Sequence, residues 1–142
     1  MGPAEQDPSG RWFRWSLGSE SSLLIPLKEP REYVLRVELS PSIGTVPNVL
    51  WLHVNGQRQA ERKLVESVTL AWQLDRNLWR KGINVLQFGF SNTARPSDHS
   101  SSQDTRKLAA AFYHFELISN DEVIRPLAGH SALDFGRRVW KS

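Results

Sequence analysis

The sequence predicts an all-β protein, a single antiparallel β-sandwich of about eight strands with jelly-roll topology. Two clean alternations carry that expectation: Tyr33, Leu35, Val37 and Leu39 share one face of a segment, and Leu50, Leu52 and Val54 share one face of another. Successive side chains of a strand point to opposite faces, so this spacing places one face in a core and the other in water. Turn chemistry recurs between the apolar segments. Beyond short turns no stretch carries the spacing of a helix, which argues against the crossover helices that a parallel sheet requires. No internal repeat is visible, which disfavours propellers and solenoids.

Taken in order, residues 1–10 read as a cloning remnant or linker, being small, polar and Pro-containing. Arg11–Ser16 is the first strand, crowded with Trp12, Phe13 and Trp15, and Ser22–Leu27 the second, closed by Pro26 and Pro30. Proline cannot donate to a ladder, so both read as edge or bent strands. Glu32–Ser40 follows with Val34, Arg36 and Glu38 opposite its apolar face. Val49–Asn55 sets Val49, Trp51, His53 and Asn55 against Leu50, Leu52 and Val54, and ends in Asn55-Gly56, the pair a type I′ hairpin turn favours. Gln57–Leu64 is polar enough for an edge. Ser67–Leu74 sends Val68, Leu70, Trp72 and Leu74 inward, and Asp75 is positioned to cap a single helical turn that Gly82 ends. Ile83–Ser91 carries Leu86, Phe88 and Phe90 on one face. Asn92–Thr105 is a long polar loop, and Lys107–Ile118 is one long strand or two joined at a bulge, because its apolar residues do not hold a single face. A short strand at Glu122–Pro126 leads into the tail, so that 11–120 form the sandwich and 121–142 an extension that packs on it or serves as a linker.

Composition narrows the function classes. At 142 residues the chain suits one domain, with 39% hydrophobic and 23% charged residues, the balance of a globular protein. The net charge of +3 is spread among acids in nearly every segment, with no basic run and no groove-reading helix, so no nucleic-acid partner is expected. The absence of cysteine excludes disulfides, thiol nucleophiles and thiolate metal sites. No apolar run is long enough to cross a bilayer as a helix, so direct membrane insertion is not expected. No Gly-x-Ser-x-Gly elbow occurs, Asp75, Asp98, Asp104 and Glu116 are scattered, and His53, His99, His114 and His130 lack close ligand spacing. These points argue against an enzyme, leaving a small hydrolase as the weakest reading.

The phrase VLWLHVNGQ, a polar strand, and then WQLDRNLWRKGINVLQFGF resemble the galactose-binding-like, carbohydrate-binding-module β-sandwiches that accompany glycoside hydrolases. Val54, Asn55 and Gly56, with Leu78, Gly82 and Asn84, carry the likeness. SQDTRKLAAAFYHFEL, through Asp104, Arg106 and Leu108, is similar to the ending of accessory sandwiches in bacterial polysaccharide-processing proteins. The resemblance covers roughly 11–118. It implies a noncatalytic carbohydrate-binding accessory module excised from a larger glycan-processing protein, with an oligosaccharide or polysaccharide and a parent-protein domain as partners and an extracytoplasmic or secreted setting. It also raises a structural calcium in the Asp98–Asp104 loop, although that loop has few carboxylates; no other cofactor is expected.

A sugar site needs an aromatic plate for the apolar face of a pyranose and a few convergent polar groups. Trp51 with His53, and Phe112, His114 and Glu116 sharing one face of the last long strand by period two, form the candidate ligand-binding set. Arg106 beside Asp104 either orients a sugar hydroxyl or forms an ion pair that anchors the loop. The alternatives are that Trp51 and Phe112 pack beneath other segments, and that the histidines are ordinary strand residues. Trp12, Trp15, Trp72 and Trp79 read as core or corner residues. Trp140 folds back or marks a contact with a neighbouring domain. The competing function is a structural or protein-interaction domain.

Overall fold

The computed structural model describes residues 1–119 and the backbone of 123–124. Its strands are β1 (Ala4–Gln6), β2 (Trp12–Leu17), β3 (Glu20–Leu27), β4 (Tyr33–Pro41), β5 (Asn48–Val54), β6 (Gln57–Leu64), β7 (Val68–Leu74), β8 (Gly82–Phe90), β9 (Leu108–Ile118) and β10 (Val123–Ile124). One sheet runs β1-β2-β9-β4-β7 with β10 also beside β9, and the other runs β3-β8-β5-β6. All pairings are antiparallel. Apart from the β1–β2 and β5–β6 hairpins and the neighbouring β9 and β10, each strand hands over to the opposite sheet. That is the jelly roll the alternation predicts, extended by two short strands.

One of those extensions corrects a boundary. Residues 4–6, expected to be linker, pair with β2 through Ala4–Arg14, Glu5–Phe13 and Gln6–Trp12. Polar composition hid this strand because an edge strand has little to bury. Trp140 and nearly all of the expected extension lie outside the described residues.

The core is the space between the two inner faces. Leu35, Val37 and Leu39 of β4 meet Leu50, Leu52 and Val54 of β5 and Leu86, Phe88 and Phe90 of β8. Each such side chain contributes about 1.5–3 kcal/mol on full burial. Phe112 stands between Phe88 and Phe115, at 5.1 Å from each ring, and stacks on the latter. At one end Tyr33 and Trp79 meet edge to face at 5.5 Å.

The motif residues behind the resemblance build a joint. Asn55 and Gly56 take φ of 49° and 83°, the left-handed values that the hairpin turn needs. The side chain of Asn55 accepts from Val85 N–H and donates to Leu78 C=O, each at 2.9 Å. Asn84, buried, accepts from Arg80 N–H and donates to the carbonyls of Arg80 and Gly82. The intervening turn is 3₁₀ (Arg76–Leu78) and Asp75 supplies no side-chain cap; backbone bonds from Leu78 to Asp75 and from Trp79 to Arg76 close it instead.

Candidate functional site

β9 decides what the outer face of the six-stranded sheet displays. Glu38 pairs with His114 while Leu39 pairs with Phe112, so Tyr113 is an extra residue, a β-bulge. Ala110 and Phe112 face the core before it, and Phe115 and Leu117 after it. Tyr113 and His114 consequently turn outward side by side, followed by Glu116. Phe112, expected on the binding face, is 2% exposed and part of the core. The bulge broke the period-two inference.

The other expected site residues are divided between the two sheets. Trp51 and His53 lie on the outer face of β5, in the four-stranded sheet, whereas His114 and Glu116 lie on β9 in the other. The sandwich core separates the pairs, so they form two surfaces and not the one expected. Arg106 sits at the margin of the second surface. It forms an ion pair with Asp104 at 2.7 Å and another with Glu5 of β1 at 3.0 Å, the anchoring role that was one of its two expected readings. These bonds hold the Asp104 carboxyl below its ordinary range, the Arg106 side chain foremost, and push the guanidinium further up.

Around His114 and Glu116 the fold gathers residues that were not in the expected set. Phe13 and Trp15, two apart on β2, share the outer face and meet edge to face at 5.2 Å. Phe13 also contacts Tyr113 at 5.4 Å. Trp15 is therefore half-buried on an outer surface and Trp12 is exposed, so neither belongs to the core, one of the two places expected for them; Trp79 is buried as expected. The guanidinium of Arg11 lies 4.6 Å from the centre of the Tyr113 ring and binds Glu38 through two 2.8 Å contacts. Glu38 is held low chiefly by those hydrogen bonds, and Arg11 is raised by them. Burial, then a hydrogen bond with Asp7, pushes the Tyr113 phenol up. Beside this group, the buried Glu116 carboxylate receives Arg36 at 3.1 Å and His114 at 2.9 Å. The period-two spacing of Arg11, Phe13 and Trp15 was the available sequence signal, but Trp15 was read as a core or corner residue.

On the opposite sheet Trp51 packs against Gly89, directly across the ladder. A Cβ at Gly89 would stand 3.6 Å from its ring. Its indole N–H donates to Glu61 at 3.1 Å and the guanidinium of Arg58 lies 5.3 Å from the ring centre.

The Asp98–Asp104 loop is where the resemblance raised a structural calcium. Both carboxylate oxygens of Asp104 are bonded to Arg106, and among the described residues no three His, Cys, Asp or Glu side chains come together as a metal site. Hard cations need several free oxygen ligands.

No family model matches the sequence, and no curated protein matches it. Among solved structures, a family 35 carbohydrate-binding module from an environmental isolate is similar, with a TM-score of 0.51, 12% identity and 84% of each chain covered. Family 36 module CBM36, in complex with calcium and xylotriose, gives a TM-score of 0.43 at 9% identity, covering 83% of this chain and 90% of that one. A ruminal GH26 endo-β-1,4-mannanase gives 0.40 at 12% identity, covering 70% of this chain but 18% of the enzyme. In fold alone, this β-sandwich is similar to that family 35 carbohydrate-binding module.

Proposed function

We propose that the protein is a noncatalytic carbohydrate-binding accessory module whose site is the outer face of the six-stranded sheet. The observation that carries this reading is the Phe13–Trp15 edge-to-face pair, backed by Tyr113 and bordered by Arg11–Glu38 and Arg36–Glu116–His114. Aromatic rings stack on the C–H face of a pyranose, and carboxylate, guanidinium and imidazole groups held in place by one another bond its hydroxyls without first having to be ordered. A single face of this kind binds weakly, and tethering to a glycan-processing partner raises the effective affinity.

The test is NMR shift mapping during titration with cello-, xylo- and manno-oligosaccharides and an oligogalacturonate. Saturating shifts around Phe13, Trp15 and His114 that vanish in Trp15→Ala are expected. Absence of shifts at millimolar sugar would overturn the reading.

The competing reading, a protein-interaction domain, draws on a different observation. Leu17, Ile43, Val46 and Val65 are exposed in strand ends and loops at one end of the sandwich. A complex with a parent-protein domain that is lost in Ile43→Asp, with no sugar bound, would favour it.

A further inference from the structure

Trp51, the aromatic plate expected from the sequence, has no part in the site described above, and its surroundings are those of a site in their own right. Along one cross-strand row of the four-stranded sheet lie Glu20, Gly89, Trp51 and Glu61; along the next lie Ser22, Gln87, His53 and Arg58. Gly89, bare of a side chain, leaves the indole room to lie against the strand beside it. Gln87 donates to Glu20 at 3.2 Å, Trp51 donates to Glu61, and Arg58 sits 3.6 Å from Glu61. The plate is thus flanked on both sides, across the strands, by groups that hydrogen-bond hydroxyls. Arg58 is exposed and long, so a sugar ring can displace it from the indole at the small cost of an exposed ion pair.

We infer that Trp51, with Glu20, His53, Gln87, Arg58 and Glu61, forms a second saccharide-binding face, and that the module is bivalent for linear polysaccharide. This rests on the carbohydrate-binding reading of the first face. Packed sheets stand about 10 Å apart and point their outer faces in opposite directions, so the two plates cannot engage one straight segment of glycan together. Each takes its own chain, and the module bridges them.

The experiment uses the whole 142-residue chain. NMR titration with the oligosaccharide that shifts Trp15 should give a second saturating set at Trp51, His53 and Gln87. Trp51→Ala should abolish the second set and leave the first, and Trp15→Ala should do the reverse. Turbidity of the corresponding polysaccharide should rise on adding the wild-type protein and fall at least tenfold with either single variant, each of which still binds. Turbidity unchanged in Trp51→Ala, or a Trp15 set without a Trp51 set, overturns bivalency while leaving the first face standing. Absence of both sets overturns both. Circular dichroism of the two variants, each altered on an outer face, separates a lost site from a lost fold.

Discussion

Asn55 donates from its side-chain amide to the side-chain carbonyl of Asn84 at 2.9 Å, joining the β5–β6 hairpin to the entry of β8. Two residues far apart in sequence thereby satisfy backbone groups in three segments. Asn84→Ala would leave several partly buried groups without partners, each costing about 1–3 kcal/mol. The expected loss is on the order of 3 kcal/mol, read from urea unfolding midpoints; a loss under about 1 kcal/mol would show that water replaces the amide.

Phe112→Ala should act on stability. Removing a ring packed between Phe88 and Phe115 is expected to cost about 3–5 kcal/mol. His114→Ala, two residues on, should cost far less. Thermal and urea unfolding of the two variants distinguish a core residue from a surface one.

Acid should weaken the fold through Glu38 and Asp104. Both carboxyls are held below their ordinary values by arginine partners, so in acid the unfolded chain binds protons that the folded chain does not. The stabilisation is intact above the unfolded-chain pKa of about 4 and is lost as pH falls through the lower folded values. Glu38→Gln and Asp104→Asn should lower the urea midpoint at neutral pH and reduce its acid dependence. An unchanged dependence in both variants would assign the acid sensitivity to other groups.

Gly44→Ala should destabilise for two reasons. The backbone there has φ of +82°, and an added Cβ would run into the imidazole of His99. A loss of about 1–2 kcal/mol is expected, and His99→Ala in the same chain should restore only the steric part. Full restoration would mean that the backbone conformation carries no cost.

The architecture was legible because burial here follows alternation. Leu50, Leu52 and Val54 could be assigned to the core from their spacing alone, and Asn55-Gly56 to a hairpin from the torsions it favours. The site was less legible because two of its determinants leave no periodic trace. The bulge at Tyr113 shifts the phase of β9, and only the sheet order shows that β5 and β9 belong to different layers. Arg11, Phe13 and Trp15 do alternate, but spacing cannot tell which face is covered when the opposite face carries Trp12. Edge strand β1 escaped for the opposite reason: with almost nothing to bury, it carries no apolar pattern.

The bulge also constrains how this surface can change. Were β9 to keep Tyr113 but lose the bulge, the strand downstream would slip by one, turning Phe115 and Leu117 toward solvent and driving His114 and Glu116 between the sheets. Core and outer surface are therefore coupled through the length of one strand. Point substitutions on the outer face leave this register intact, whereas an insertion or deletion along β9 outside the bulge must be matched by a second one to keep the reading frame of the fold.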